Sequence, residues 1–137
     1  MKEPLILTVD DSSVARLSII ELFRPFACRL LQAEDGLQGL AAIREHRPDL
    51  VILDRDMPVM GGIEMLRELR ADPAIARTDV IMLTANMAPE TLSQAARLGV
   101  RDFQRKPPDG AALVGRAARL ISLIPRASAP QGSGNDA

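Results

Sequence analysis

The chain has 137 residues, with seventeen basic and eighteen acidic side chains and a net charge of −1. This length suits one domain, and an apolar content of 47% allows a hydrophobic core, which must be aliphatic because the only aromatic residues are three phenylalanines. The balanced charge argues against direct nucleic-acid binding, which usually requires a basic stripe.

The single cysteine, Cys28, excludes an intrachain disulfide and is interpreted as a small buried apolar residue rather than a redox site. The first residues are too acidic and their apolar run too short for a signal peptide. No apolar run approaches the ~20 residues that cross a bilayer. We therefore expect a reduced, cytoplasmic protein without membrane insertion.

Short apolar runs alternate along the chain with segments of helical period. The predicted strands cover residues 5–9, 28–33, 50–53, 80–83 and 100–104. The first predicted helix follows the capping residues Ser12 and Ser13 and ends before Pro25, since proline disfavours helix in the residue before it. The other predicted helices cover 37–46, 63–70, the segment from Pro89 to Gly99, and 109–123.

This alternation predicts an α/β fold, a doubly wound five-stranded parallel sheet, over residues 4–124. The run at 50–53 is wholly apolar, as expected of a central strand covered on both faces. Residues 125–137 are small and polar and contain no apolar anchor, so we expect a disordered tail or linker there.

Polar residues follow the predicted strands at their carboxyl ends. Asp10 and Asp11 follow the first strand, Asp54 the third, Thr84 the fourth and Lys106 the fifth. Ligands of open α/β sheets bind beyond the carboxyl ends of the strands, where the strand order reverses. Each residue alone has an ordinary explanation as a cap, turn or surface residue. However, all of them lie at the carboxyl ends of predicted strands, and this joint placement indicates a binding or catalytic site.

Carboxylates gathered at one edge repel each other unless a cation offsets their charge. Oxygen ligands without a nearby histidine or cysteine favour Mg²⁺, with Mn²⁺ as an alternative. A lysine opposite the acids suits a phosphoryl group, and a threonine hydroxyl can donate a hydrogen bond to one of its oxygens. The set predicts phosphoryl transfer to a carboxylate oxygen, with the protein supplying positioning and charge neutralisation.

Four segments carry a resemblance to the receiver domains of bacterial response regulators. They are LTVDDS, VILDRDMPVMGG, IMLTA and DFQRKP, and they occur in the order typical of that family. The resemblance extends over about residues 4–123 and implies a flavodoxin-like (βα)5 fold. It also implies a phosphoacceptor switch of a two-component or phosphorelay system, not an enzyme that turns over an external substrate.

The resemblance implies that Asp54 is the nucleophile, taking phosphate from a phosphohistidine of a sensor histidine kinase or a histidine phosphotransfer protein. Such domains catalyse their own phosphorylation and slow autodephosphorylation. Asp11 would bind Mg²⁺, Asp10 would act mainly through the water shell of the ion, and Asp54 would be a shared ligand. The backbone carbonyl of Asp56 would complete the protein ligands.

For the switch, the resemblance implies that Lys106 pairs with the phosphoryl group and that Pro107 follows a cis peptide bond. Thr84 would move toward the phosphate and Phe103 would turn into the space it leaves. This movement would change the surface of helix four, strand five and helix five for a downstream protein, with homodimerisation on phosphorylation also open. Phe103 has a plain alternative as an ordinary core residue.

Three positions near the nucleophile depart from the common pattern. Arg55 stands where an apolar or small residue is frequent, and we expect its side chain to point to solvent. Asp56 adds a carboxylate near the site, and Asn86 follows Thr84 by two residues. Asp56 and Asn86 could each change the lifetime of the phosphorylated form.

One alternative is a phosphatase similar to the haloacid-dehalogenase family, which also uses a nucleophilic aspartate with a second aspartate two residues later. Asp54 and Asp56 fit that spacing. However, that motif belongs on the first strand of such a core, whereas here it follows the third. No acidic residue follows Asp109 in the part expected to fold, although such enzymes usually need one there.

A second alternative is a phosphorylation-independent interaction module on the same fold. It would need no phosphoacceptor chemistry, so the joint presence of the acid pair, Asp54, Thr84 and Lys106 argues against it.

Overall fold

A computed structural model describes residues 2–127 of the protein. Its strands are β1 (Leu5–Val9), β2 (Arg29–Ala33), β3 (Leu50–Asp54), β4 (Val80–Thr84) and β5 (Asp102–Arg105). Its helices are α1 (Ser13–Phe23), α2 (Gly36–His46), α3 (Gly62–Ala71), α4 (Pro89–Arg97) and α5 (Gly110–Ala117). The strands form one parallel sheet in the order β2-β1-β3-β4-β5, which confirms the predicted doubly wound fold.

The sheet is covered on both faces, which explains why its central strands are almost wholly apolar. Every residue of β1, β3 and β4 is buried. On one face, buried side chains of the sheet pack with those of α2 and α3, and on the other they pack with those of α1 and α5. Two apolar layers therefore hold the central strands, and with them the residues at their carboxyl ends.

Side chains at the helix starts satisfy backbone N–H groups that lack a partner within the helix. Ser12 Oγ accepts from the N–H of Ala15 at 3.2 Å. Asp35 caps α2 and Asp109 caps α5 in the same way, through N–H groups three residues ahead. Pro89 begins α4, where its missing N–H costs little.

The last helix is shorter than the sequence period indicates, because α5 ends at Ala117 rather than near residue 123. The side chains of Leu120, Ile121 and Leu123 still pack against the α1 and α5 side of the core, but from irregular backbone. The strand predicted at 100–104 covers Asp102–Arg105 instead. Arg101, just before it, already donates its N–H to Val80 O of β4.

The chain then turns back along the segment between α1 and β2. The N–H of Ala27 donates to Ile124 O at 2.7 Å, and the N–H of Arg126 donates to Pro25 O at 2.8 Å. Arg126 Nη2 also donates to Cys28 O at 2.8 Å. Residues 125–127 belong to the predicted tail, and Arg126 is hydrogen-bonded to the domain. The rest of that tail (128–137) lies outside the described residues.

Among residues 2–127, no helix combines the length and apolar content needed to cross a lipid bilayer.

Candidate functional site

Parallel pairing brings the ends of four strands to one edge of the sheet. Asp10 directly follows β1, and Asp54 is the last residue of β3. In the strand register Val9 pairs with Leu53, and Asp54 pairs with Leu83. Thr84 ends β4 and Lys106 follows β5, so these side chains start from neighbouring positions although they are distant in the sequence.

Three carboxylates meet at this edge. Asp10, Asp11 and Asp54 each place an oxygen within 4.8 Å of the others. Asp10 is 3% exposed and Asp54 4%, whereas Asp11 is open to solvent. Two buried carboxylates and one exposed carboxylate at such separations form an oxygen-only set that could hold a divalent cation.

Lys106 lies between the two buried acids. Its Nζ is 2.8 Å from Asp10 Oδ2 and 3.2 Å from Asp54 Oδ2. Its backbone N–H donates to Thr84 O at 3.0 Å, and the peptide bond that joins it to Pro107 is cis. The lysine is therefore anchored to the end of β4 and presents its ammonium group to the nucleophile candidate.

The pKa of Asp54 is raised from 3.8 to about 6, mainly because burial disfavours the charged carboxylate and also because Asp10 is nearby. Lys106 and the N–H of Asp56, 3.4 Å from Asp54 Oδ1, act in the opposite direction. For Lys106, burial opposes ionisation, but the hydrogen bond to Asp10 and the charges of Asp54 and Asp10 raise its pKa. The pocket thus holds more negative charge than one lysine neutralises.

Thr84 is fully buried, and its hydroxyl is engaged away from the acids. Thr84 Oγ1 accepts from the N–H of Asn86 at 3.0 Å and donates to Asn86 O at 3.2 Å. Asn86 Oδ1 in turn accepts from the N–H of Ala88. In this structure the threonine side chain stabilises the loop that leads into α4.

Phe103 is half-buried in β5, where it is in register with Met82 and packs against the α2 and α3 side of the core. Its neighbour Asp102 pairs with Arg116 of α5. β4 lies between the strand of Phe103 and that of Asp54, so Phe103 stands apart from the acid cluster.

Arg55 does not point freely to solvent as the sequence led us to expect. Its side chain is 26% exposed, and its Nη1 lies 3.0 Å from Asp56 Oδ1. Its Nε is buried and has no hydrogen-bond partner within residues 2–127. The exposed Asp56 carboxylate balances the charge of Arg55, which draws the guanidinium against the loop.

Sequence reasoning did not identify the residue that fixes the backbone of Asp10. Arg16, one turn into α1, donates from Nη1 to Asp10 O at 2.7 Å and from Nε to Gln32 Oε1 at 2.8 Å. The N–H of Ser12 also donates to Asp10 Oδ1 at 2.9 Å. No spacing rule signals Arg16, because the contact depends on how α1 crosses the end of β2.

The loop after β3 returns very close to the nucleophile candidate. The N–H of Gly62 donates to Arg55 O at 2.9 Å. A Cβ at Gly62 would lie 2.7 Å from Asp54 O, so only glycine fits there without a shift of the backbone. Val59, at the exposed part of this loop, has a φ of +69°, which is unusual for a β-branched residue.

This sequence and its fold are similar to those of a known protein family. Residues 6–118 match the family model of the response regulator receiver domain. The chain is 36% identical over 124 residues to the chemotaxis protein CheY-3 of Vibrio cholerae, covering 90% of this chain and 95% of that protein. It is 37% identical over 121 residues to the DNA-binding response regulator MtrA of Mycobacterium leprae, covering 88% of this chain but only 52% of MtrA.

Solved structures of receiver proteins have a similar fold. A response regulator receiver protein from Pseudomonas putida has a TM-score of 0.82 at 26% identity, covering 87% of this chain and 98% of that one. Chemotaxis protein CheY4 of Vibrio cholerae has a TM-score of 0.81 at 28% identity, covering 88% of this chain and all of CheY4. These matches, with Asp54 on the third strand, favour a receiver over a phosphatase similar to the haloacid dehalogenases.

Receiver domains are signalling switches of two-component systems, not enzymes that turn over an external substrate, and they interact with histidine kinases and downstream targets. Their flavodoxin-like fold is the fold observed here. The family model covers most of the chain, and the CheY-3 relative is matched over nearly its whole length. This chain belongs to the response regulator receiver domain family.

Proposed function

We propose that Asp54 accepts a phosphoryl group from a phosphohistidine of a sensor histidine kinase or histidine phosphotransfer protein, and that the chain acts as a phosphorylation-driven switch. The observation that carries this proposal is the position of the Lys106 ammonium group between buried Asp10 and Asp54, with Asp11 beside them. A buried carboxylate that faces a fixed cation is suited to nucleophilic attack on phosphorus.

The donor set fits Mg²⁺, and Mn²⁺ would suit the same oxygen ligands. Asp11 and Asp54 would bind the ion directly, Asp10 through its water shell, and the backbone carbonyl of Asp56 would complete the protein ligands. The bound ion would neutralise charge on the phosphoryl oxygens. Burial is the main cause of the raised pKa of Asp54, and the neighbouring Asp10 carboxylate adds to it. A divalent cation would offset the effect of Asp10, which supports this assignment.

In the transfer step, a carboxylate oxygen of Asp54 forms the new P–O bond as the P–N bond of the phosphohistidine breaks. The imidazole leaves with the electron pair of that bond and takes up a proton from solvent. Lys106 already lies 3.2 Å from the Asp54 carboxylate, so it can balance negative charge on the phosphoryl group as it arrives. Attack by water on the same phosphorus would return the domain slowly to its resting state.

The switch would act through Thr84 and Phe103. The Thr84 hydroxyl would exchange its bond to Asn86 O for one to a phosphoryl oxygen, since both are good acceptors. Phe103 would turn into the space that Thr84 leaves, changing the surface of α4, β5 and α5. That surface would contact a downstream protein or a second copy of the chain, without direct nucleic-acid contact.

The proposal is tested by incubating the full chain with Mg²⁺ and acetyl phosphate and measuring its intact mass. We expect one phosphoryl adduct in the wild type and none in Asp54→Ala. Asp79→Ala removes an aspartate just before β4, at the opposite edge of the sheet from Asp54, and is the control for loss of an aspartate. Absence of the adduct from the wild type contradicts the proposed function and favours the phosphorylation-independent module. Persistence of the adduct in Asp54→Ala also contradicts it, because the phosphoryl group would then be on another residue.

A further inference from the structure

A strongly positive groove lies at the end of the sheet opposite Asp54. It is formed by the turn before β4, the turn before β5 and the last part of α3. Its volume is about 410 Å³, and it is open to solvent. Arg70, Arg77, Arg97 and Arg101 line it together with one acid, Asp79. The groove therefore carries three net positive charges in a chain whose overall charge is −1.

Arg70 builds the floor of this groove. It donates from Nε to Leu98 O at 2.6 Å and from Nη1 to Ala76 O and Thr78 O at 2.8 and 2.7 Å. Its Nη2 reaches Gly99 O at 3.3 Å. These bonds tie together the loops on both sides and occupy carbonyl oxygens at the end of α4. The negative end of that helix, which would otherwise repel an anion, is thereby screened.

Two cations of the groove are available for a ligand. Arg77 and Arg97 are exposed, and neither makes a side-chain hydrogen bond or ion pair with residues 2–127. Arg101 is partly neutralised, because its Nη1 lies 3.3 Å from Asp79 Oδ1. The apolar side chains of Ala76 and Leu98 also line the groove. It thus offers two free guanidinium groups around a small apolar surface.

We infer that this groove binds a short acidic segment of a partner protein, with carboxylates that pair with Arg77 and Arg97 around one apolar side chain. Guanidinium groups pair with carboxylates through two parallel hydrogen bonds, which gives both charge and geometric complementarity. Because the groove lies at the amino-terminal ends of β4 and β5, this contact is separate from the phosphoacceptor site and goes beyond the proposed switch.

The surroundings favour a peptide over a nucleic acid. The neighbouring cavity shares Asp79 with the groove and is also lined by Glu3, Asp49 and one cation, Lys2. Its net charge is negative, so a longer polyanion would be repelled as it left the groove. No aromatic residue lines the groove to stack on a base. The positive charge is therefore confined to the groove. A groove of this kind suits a short segment with a few carboxylates.

The test uses the unphosphorylated full chain and a fluorescein-labelled peptide, Gly-Glu-Glu-Leu-Glu-Glu-Gly, measured by fluorescence anisotropy. We expect binding that weakens as salt is added. The double variant Arg77→Ala/Arg97→Ala should weaken it about tenfold, if each exposed arginine–carboxylate pair contributes about a threefold factor. The matched control, Arg29→Ala/Arg119→Ala, removes two exposed arginines that do not line the groove and should leave the affinity unchanged.

Three results overturn the inference. One is the absence of peptide binding to the wild type at low salt, and another is equal weakening in the two double variants. The third is tighter, groove-dependent binding of a ten-nucleotide single-stranded DNA or of inorganic pyrophosphate than of the peptide, which would assign the groove to another anion. Asp54→Ala should bind the peptide like the wild type, so a failure of this test is distinguishable from a failure of the phosphoacceptor assignment.

Discussion

Lys106 Nζ lies 2.8 Å from Asp10 Oδ2 and 3.2 Å from Asp54 Oδ2, although 96 residues separate Lys106 from Asp10 along the chain. One ammonium group therefore joins the ends of β1, β3 and β5. It neutralises the charge of one buried carboxylate, and the charge of the other buried carboxylate is not compensated.

Asp54 should make the metal-free protein less stable as pH rises. Its folded pKa is about 6 against an ordinary value of 3.8, so its contribution to stability is fully present below pH 3.8 and is lost as pH rises through about 6. The shift corresponds to at most about 3 kcal/mol. We expect Asp54→Asn to gain about 1–3 kcal/mol over the wild type at pH 7.5 in EDTA, and little at pH 4.

The measurement is urea unfolding of both proteins across that pH range, since their difference isolates the titration of this one group. Adding Mg²⁺ to the wild type should reduce the difference. A difference that does not change between pH 4 and 7.5 would show that Asp54 titrates normally.

Replacing Lys106 with methionine should leave Asp10 and Asp54 buried without a counter-ion. We expect a loss of about 2–4 kcal/mol in the free energy of unfolding in EDTA at pH 7.5, because breaking a buried ion pair strands a charge. Lys106→Arg keeps the charge and should lose less. Both variants should take up phosphoryl groups from acetyl phosphate more slowly, as measured by intact mass. Full stability of Lys106→Met in EDTA would contradict the role given to the ion pair.

Gly62→Ala should be destabilising because its Cβ would lie 2.7 Å from Asp54 O and 2.9 Å from Arg55 Cα. We expect a loss of about 1–3 kcal/mol by urea unfolding, from displacement of the loop. Gly115→Ala is the matched control: a Cβ there has nothing within 4 Å, and the residue lies inside α5. It should gain about 0.5–1 kcal/mol. Equal effects at the two positions would mean that the loop yields to the added methyl group.

Val59→Gly should stabilise the protein because Val59 holds a left-handed φ of +69° and the residue is 73% exposed. Relief of this strain should gain about 1 kcal/mol. Val14 is equally exposed at 73% but lies in the first turn of α1, where glycine is a poorer helix former than valine, so Val14→Gly should lose up to about 0.5 kcal/mol. A loss of stability in Val59→Gly would show that the valine is not strained.

Thr84→Val should separate phosphorylation from switching. The substitution keeps the shape of the side chain but removes the hydroxyl that bonds with Asn86. We expect a loss of about 1–2 kcal/mol, since the N–H of Asn86 loses its acceptor. The phosphoryl adduct should still form, but NMR shifts of α4, β5 and α5 on phosphorylation should be much smaller than in the wild type. Wild-type shifts in this variant would remove Thr84 from the switch.

Much of the fold follows from local sequence rules. The central strands β1, β3 and β4 were predicted to within one residue because a strand covered on both faces is a nearly continuous apolar run. The same rule located the site, because a polar residue that ends an apolar run lies at the carboxyl edge. Asp10 and Asp54 were found in this way.

Contacts between elements were not predictable from these rules. The helical period continues past Ala117, but the chain must turn back toward Phe26, so the helix ends early while Leu120 and Leu123 stay packed. Arg16 was missed because its bond to Asp10 O depends on the position of α1 over the sheet. Arg55 was expected in solvent because its pairing with Asp56 depends on the bend after β3.

The pairing of residues 124–126 with residues 25–28 determines where an added module would emerge. Pro125 bridges to Phe26 beside the start of β2, which is the edge strand furthest from β5 in the sheet order. A fluorescent reporter fused after residue 127 would therefore begin at the β2 side of the molecule. The α4, β5 and α5 surface would stay accessible, so such a fusion can be used to follow partner binding in living cells.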